Sequence, residues 1–185
     1  FFDKNGNDSI DISGSRILIS DNYINESGDK CISIGERSKK PIIFNNVLYK
    51  CKIGIETKDN STPQIINNVI INNEIGLNAY RKKDIFKDGG KAEVYNSVIW
   101  GNDIEVQDDK YSKTKIYYSN VEGGHDGEGN MSIDPAISVL SIGRMSENEA
   151  LQNGGNIDIV SDTVEGILDK SENTTWPIGL IRNIK

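Results

Sequence analysis

The chain has 185 residues, a formal net charge of −7 and 36% hydrophobic residues. This length suits a single domain with a core of its own. The single histidine excludes multi-histidine metal chemistry, and the two cysteines exclude a disulfide framework and a four-cysteine zinc site. The net negative charge argues against nucleic acid as a partner, and no apolar run is long enough to span a membrane.

The first residues of the chain carry no recognisable capping element. The sequence starts at Phe1-Phe2-Asp3, with no initiator methionine and no basic or apolar leader before residue 10. An uncapped stack of strands exposes its edges. We therefore expect further coils to precede Phe1.

A short Ile-x-Ile element recurs along the first half of the chain. It stands at residues 10–12, 32–34, 53–55, 75–77 and 104–106, so its first members are 22, 21, 22 and 29 residues apart. A second element is an Asn or Ser before a short apolar strand. It occurs at positions 22, 46, 68, 97 and 120 and keeps nearly the same period. Two markers with one period predict a repeat architecture.

The repeat predicts an all-β solenoid of about five coils, each of roughly 22 residues. Strands this short cannot bury an apolar face alone, but strands stacked above and below can cover it. The period of two predicts that Ile53 and Ile55 lie on one side of their strand and Gly54 on the other. The asparagines of the second element suit left-handed turns, and we expect them to stack as a hydrogen-bonded ladder.

These repeats, of the type Asn-x-Ile followed by Gly-Ile-x-Ile, resemble the right-handed parallel β-helix superfamily. This superfamily contains pectate-lyase-like proteins and secreted or surface proteins of bacteria. The resemblance covers residues 8–137 and includes a Gly-rich stretch, residues 119–136, of the kind that closes such helices. It implies a right-handed β-helix over residues 1–137 and a secreted or cell-surface location. The fold hosts lyases, hydrolases, epimerases, adhesins and spacers, so the activity stays open.

Alignment on the Ile-x-Ile element places polar residues in columns on the outside of the coils. One predicted column contains Ser13, Gly35, Glu56, Asn78 and Gln107, and the next contains Ser15, Arg37, Lys58, Tyr80 and Asp109. Amides, charged groups and an aromatic ring are what a sugar-binding groove needs. The columns therefore predict polysaccharide binding through Arg37, Glu56, Asn78, Tyr80 and Gln107. The alternative is a solvated face with compensating charges.

Elimination chemistry is a second hypothesis for the same columns. Cleavage of a uronate polymer by β-elimination needs a base for the α proton and positive charge for the enolate. Resemblance to β-helix lyases of the alginate-lyase and chondroitinase-B type implies Lys58 as base and Arg81 as acid or charge neutraliser. It also implies Glu36 and Glu56 as calcium ligands. Arg81 departs from that pattern, because two lysines follow it instead of His-Gly. A spacer or adhesin stalk without a ligand is the third hypothesis.

Two loops offer further sites. Residues 81–91 contain five cations and two acids, and such an insertion predicts a mobile basic loop that contacts an anionic sugar or a partner. A merely tolerated insertion is the alternative. In the Gly-rich loop, Asp126, Glu128 and Asn130 offer oxygens at alternating positions, a pattern typical of calcium ligands. A plain turn is the alternative, because the spacing of an EF-hand is absent.

The cysteines and the end of the chain complete the predictions. Cys31 and Cys51 fall on adjacent coils at different offsets from the Ile-x-Ile element, which favours buried free thiols over a disulfide. The period ends near residue 137. Residues 138–185 are expected to form a C-terminal cap or linker, with a short helix over 145–151 and a strand over 156–160.

Overall fold

The computed structural model describes residues 1–137, so the predicted cap or linker, with its helix and strand, lies outside the described residues. Phe1–Pro135 forms one compact unit. The described residues contain strands and turns only, and no helix that could cross a membrane occurs among them.

Sixteen short strands make up this unit. In chain order they are β1 (Phe2–Asp3), β2 (Ile10–Ser13), β3 (Leu18–Ser20), β4 (Tyr23–Asn25), β5 (Lys30–Gly35), β6 (Lys39–Phe44), β7 (Val47–Tyr49), β8 (Ile53–Lys58), β9 (Thr62–Ile66), β10 (Val69–Ile71), β11 (Ile75–Tyr80), β12 (Glu93–Tyr95), β13 (Val98–Trp100), β14 (Ile104–Asp108), β15 (Lys115–Tyr117) and β16 (Asn120–Val121). Each strand pairs with the equivalent strand of the next coil, and all pairs between strands are parallel.

The strands form three sheets that run along the stack. Sheet A has the order β1-β4-β7-β10-β13-β16, sheet B has the order β14-β11-β8-β5-β2, and sheet C has the order β15-β12-β9-β6-β3. Each coil therefore contributes one strand to each sheet before it rises to the next level. This confirms the predicted parallel β-helix of about five coils of roughly 22 residues.

The core consists of aligned apolar columns, one for each sheet. Sheet A supplies Ile24, Leu48, Ile70, Ile99 and Val121. Sheet B supplies Ile10, Ile32, Ile55, Leu77 and Val106. Sheet C supplies Ile19, Ile43, Ile65, Val94 and Ile116. No strand buries these side chains alone, because each covers the equivalent side chains one coil above and below.

The predicted asparagine ladder lies at the corner between sheets C and A. The backbone N–H of Asn22 donates to Asn46 Oδ1, and that of Asn46 donates to Asn68 Oδ1, both at 3.0 Å. Serines replace asparagine in the next two coils, where the N–H of Ser97 donates to Ser119 Oγ at 3.0 Å. The expected member Asn120 lies one residue too far, since it pairs with Val98. The stacking is otherwise confirmed, but the left-handed positions are wrong by one residue, since they are Asp21, Asn45, Asn67 and Asn96.

The alignment predicted between the second and third coils is wrong by two residues. Ile32 pairs with Ile55 and not with Ile53. The reason is that Ile53 lies on the outer face of the stack, whereas Ile55 belongs to the core. A Cβ on Gly54 would lie 2.6 Å from Ile70 Cγ2 in the core, so Gly54 points inward, contrary to expectation.

The two cysteines form a disulfide, which corrects the prediction of free thiols. Their Cα atoms are 5.7 Å apart, and both residues are buried. The unequal offsets misled the sequence argument because Cys51 is not part of a strand. It lies in the turn before β8, where its N–H donates to Asn73 Oδ1 at 2.9 Å, and there it meets Cys31 of the coil below.

Replacing both cysteines by serine is expected to lower the free energy of unfolding by about 3 kcal/mol, because the bond closes a loop of about 20 residues in the unfolded chain. Urea titrations of the wild type and of the double variant measure the difference. Dithiothreitol should lower the stability of the wild type only. Two titratable thiols in the unreduced, unfolded wild type would show that the bond is absent.

A pair of glutamates lies near the C-terminal end of the stack. Glu105 is half-buried, and burial, followed by the hydrogen bond and negative charge of Glu122, raises its pKa from the ordinary 4.5 to about 7. Asn102 donates to both oxygens of Glu105, through its N–H at 3.0 Å and its Nδ2 at 2.6 Å. Glu122 in turn accepts from the N–H of Gly101 at 2.7 Å.

This pair predicts a loss of stability as the pH rises. The folded state binds the proton of Glu105 more tightly than the unfolded chain does. The extra stability is complete below pH 4.5 and is lost as the pH rises through about 7. After allowance for solvent screening at a half-exposed group, we expect a loss of about 1–2 kcal/mol between about pH 5 and pH 8.5. Urea titrations at both pH values measure it, and Glu105→Gln should remove most of the difference. An equal pH dependence in that variant would contradict the assignment.

Candidate functional site

A groove of about 520 Å³ lies on the outer face of sheet B. It is lined by residues of four successive coils: Asp29, Lys30, Lys52, Ile53, Glu56, Asn78, Tyr80, Gln107, Asp108 and Asp109. Since neighbouring strands are about 4.8 Å apart, the groove extends about 14 Å along the stack. Such a groove suits an extended ligand that lies parallel to the axis.

A charged cluster beneath the groove involves Ser33, Glu56 and Lys58. Glu56 and Ser33 are almost fully buried, and Lys58 is 8% exposed, although all three lie on the outer face of their strands. The Lys58 ammonium group donates to Ser33 Oγ at 2.8 Å and forms an ion pair with Glu56. A Cβ on Gly35 would lie 2.9 Å from Lys58 Cε, so glycine makes room for the lysine side chain.

Tyr80 connects this cluster to the groove. It pairs with Lys58 across adjacent strands, and its hydroxyl donates to Glu56 Oε2 at 3.1 Å. Burial, followed by the negative charge of Glu56, raises the pKa of the phenol. Tyr80 is therefore a neutral hydrogen-bond donor whose half-buried ring is held in place at the groove.

Two amides lie beside this ring. Asn78 and Gln107 are partners in the register of β11 and β14, directly above Glu56. Among the described residues neither amide side chain has a hydrogen-bond partner, while Asn78 is half-buried and Gln107 is exposed. Each amide thus offers one acceptor oxygen and two donor hydrogens to a ligand.

Charged side chains lie at the margins of the groove. Lys30 pairs with Asp29 and, at 3.4 Å, with Asp8. Burial lowers the pKa of Lys30, but the hydrogen bond to Asp29 and the charge of Glu56 outweigh it, so the pKa is raised. Asp109 accepts from the N–H of Arg81 at 3.0 Å. Burial raises the pKa of Asp109, but this and other hydrogen bonds lower it overall.

The two predicted arginines lie outside the groove. Arg37 stacks on Phe86 at 5.1 Å from the ring centroid, at the corner where its N–H donates to Asp59 O. This position follows from the two-residue error in the alignment. Arg81 stacks on Tyr111 at 3.5 Å and pairs with Asp84 at 3.2 Å.

Comparison with known families agrees with this architecture. A family profile described as right handed beta helix region matches residues 2–121. The chain belongs to this right-handed β-helix family. The predicted hand and fold class are thereby confirmed. Comparisons with curated proteins and with solved structures gave no match.

The basic loop of this β-helix makes several contacts with the stack, and its contact with a sugar or partner stays a prediction. Asp59 Oδ1 accepts from the N–H groups of Lys82 and Lys83 at 2.7 and 2.9 Å. Phe86 is 7% exposed, and the side chain of Lys83 pairs with Glu36. These contacts fix the loop at the corner between sheets B and C.

The predicted calcium ligands have other partners. Glu36 pairs with Lys83 and Glu56 pairs with Lys58. Within residues 1–137, no three His, Cys, Asp or Glu side chains group in a way suited to a metal ion.

The Gly-rich loop of this β-helix continues the ladder. Asn130 Oδ1 accepts from the N–H of Ser119 at 3.1 Å, and its Nδ2 donates to Ile116 O at 2.9 Å. Glu128 forms a hydrogen bond with Tyr118 that raises the pKa of the phenol. The carbonyl oxygen of Asp126 lies 2.8 Å from Nδ1 of His125. The loop thus covers the last corner of the stack.

Sequence reasoning missed several groove residues. Asp29, Lys30, Lys52 and Ile53 all lie before or at the start of strands β5 and β8, where the Ile-x-Ile alignment assigned no outward positions. Ser33 was missed because the alignment placed Gly35 beside Glu56. A spacing of 23 residues, which pairs Ile32 with Ile55, was the signal that could have placed Ser33 beside Glu56 and revealed the outward positions before each strand.

Proposed function

We propose that this chain is a secreted or cell-surface β-helix domain that binds a polysaccharide along the groove of sheet B. The observation that carries the proposal is the unpartnered amide pair Asn78 and Gln107 beside the fixed ring of Tyr80. Sugar hydroxyls need donors and acceptors, and the C–H face of a sugar packs on an aromatic ring. The amide pair and the ring offer both at one place.

The disulfide supports the proposed location. Disulfides form and persist in oxidising compartments and are rare in the cytosol. The Cys31–Cys51 bond links two adjacent coils of the stack. A secreted or surface domain would keep this bond oxidised and would also encounter extracellular polysaccharide.

Substitutions in the groove are expected to weaken glycan binding in a graded way. Tyr80→Ala should raise the Kd about tenfold, because the ring platform is lost, whereas Tyr80→Phe should raise it less than about threefold. Asn78→Ala with Gln107→Ala should raise it about tenfold. Affinity electrophoresis followed by calorimetry against a panel of soluble polysaccharides measures these changes. Lys115→Ala, at an exposed position of sheet C, is the matched control. Absence of binding to every polymer would contradict the proposal and favour the hypothesis of a spacer or adhesin stalk without a ligand.

Elimination from a uronate polymer is the second candidate. The pairing of Lys58 with Tyr80 favours it, since a cation and a phenol stand side by side at the groove. As a base, Lys58 would have to release a proton first, because its ammonium group donates to Ser33 and Glu56. Ultraviolet absorbance of unsaturated products, with alginate, polygalacturonate and glycosaminoglycans, in calcium and in chelator, tests it. A rise establishes a lyase, and no rise excludes this reaction for these substrates.

A further inference from the structure

The charge of the groove lining restricts the kind of glycan it can bind. The lining contains four carboxylates, of Asp29, Glu56, Asp108 and Asp109, against the two ammonium groups of Lys30 and Lys52, which leaves two negative charges. Lys58, beneath Glu56, offsets one of them. A ligand in the groove therefore meets a negative surface.

Lys30 and Lys58 are not available for sugar carboxylates, and no arginine lines the groove. Lys30 is bound by Asp29 and Asp8, and Lys58 is bound by Glu56. Arg37 and Arg81, the residues best suited to bidentate carboxylate binding, stack on Phe86 and Tyr111 outside the groove. Lys52 is the one cation of the lining without an ion pair among the described residues.

The carboxylates at the far end of the groove are held in place by the protein. Asp108 accepts from the N–H and the hydroxyl of Thr114, both at 2.7 Å. Asp109 accepts from the N–H groups of Arg81 and Tyr111 at 3.0 and 2.9 Å. These hydrogen bonds hold both carboxylates in place at this end of the groove, so their position is a fixed feature of the lining.

We infer that the ligand of the groove is an uncharged polysaccharide, bound through the amides of Asn78 and Gln107 and the ring of Tyr80. This inference rests on the proposed function and names its substrate class. Neutral hydroxyls satisfy the amides without a counter-charge. A uronate chain would bring a negative charge on each sugar towards a surface with no free cation but Lys52. An amino-sugar chain would find the carboxylates of the lining already bound. Asp29 and Glu56 pair with Lys30 and Lys58, and Asp108 and Asp109 accept hydrogen bonds from the protein.

The test uses the full chain and three soluble polymers: a neutral galactomannan or β-glucan, polygalacturonate, and partly deacetylated chitosan. Calorimetry is run at about 20 mM and about 300 mM NaCl, because the higher salt concentration screens electrostatic attraction and repulsion between protein and polymer more strongly. Two variants of one position, Gln107→Glu and Gln107→Lys, form a matched pair of opposite charge. Gln107 is exposed, so both variants should fold, and urea titration verifies this.

We expect a neutral polymer to bind with a Kd that changes less than about twofold with salt. Both Gln107 variants should then weaken binding in the same direction and within about threefold of each other. Binding only to polygalacturonate, with Gln107→Lys tighter and Gln107→Glu weaker, overturns the inference but leaves the proposed function standing. Binding only to chitosan, with the reverse order, also overturns the inference alone. Binding to none of the polymers, including the panel above, overturns both.

Discussion

Replacing Lys58 by alanine is expected to lower the free energy of unfolding by about 3–5 kcal/mol, because it leaves a buried charge without its partner. Glu56 is 1% exposed, and without the ammonium group its remaining hydrogen bonds come from Tyr80 and, at 3.4 Å, from Ser33. Urea titration at neutral pH measures the change.

Two control variants separate charge burial from mere loss of an ion pair. Lys58→Met combined with Glu56→Gln removes both charges and should restore most of the stability lost in Lys58→Ala. Lys83→Ala breaks the exposed pair with Glu36 and should cost far less than Lys58→Ala, because an exposed ion pair contributes little to stability. A cost below about 1 kcal/mol for Lys58→Ala would contradict the burial argument. The double variant is also the better test of elimination chemistry, since it removes the proposed base from a folded protein.

Replacing Asn68 by alanine is expected to cost about 3–4 kcal/mol, because several buried backbone groups lose their partners at once. Asn68 Nδ2 donates to the carbonyls of Ile43 and Ile66 at 2.8 and 3.0 Å. Its Oδ1 accepts from both the N–H and the Nδ2 of Asn46 at 3.0 Å. Urea titration against the wild type measures the loss.

The ladder itself supplies the comparison variants for Asn68. Asn68→Ser should cost about half as much as alanine, because a serine hydroxyl fills the equivalent place at Ser97 and Ser119. Asn67→Gly, one residue earlier, should change the stability by less than about 1 kcal/mol, since Asn67 has a φ of 56° that glycine adopts freely. Equal losses for the alanine and serine variants would show that packing and not hydrogen bonding determines the effect.

Much of the fold could be predicted because a stack imposes its period on the sequence. Strands of two to six residues need equivalent apolar residues above and below, so isoleucine and asparagine recur along the coils. For the same reason Glu56, Asn78 and Gln107 were aligned correctly, and Lys58 was placed beside Tyr80. These residues lie in coils three to five, where the Ile-x-Ile element keeps one position relative to the core.

The errors arose where the period slips. In the first two coils the element lies two residues further along the strand, so Arg37 was assigned to a groove that it does not line. The calcium ligands were predicted from the resemblance to β-helix lyases and from the alternating oxygens of the Gly-rich loop. The partners of Glu36, Glu56 and Asn130 could not be known without the contacts across coils. The roles of Lys58 and Arg81 in elimination stay a prediction.

The sequence by itself determined the parallel β-helix, its number of coils and the asparagine ladder, because these depend on a period that is visible in the chain. Only the tertiary structure decided the register of adjacent coils, the Cys31–Cys51 bond and the packing of the basic loop. It also decided which charges face the groove and which are bound by neighbours. The physical reason is that a shift of two residues preserves the alternation of a strand, so the apolar pattern permits more than one register, and the packing of complete coils selects one.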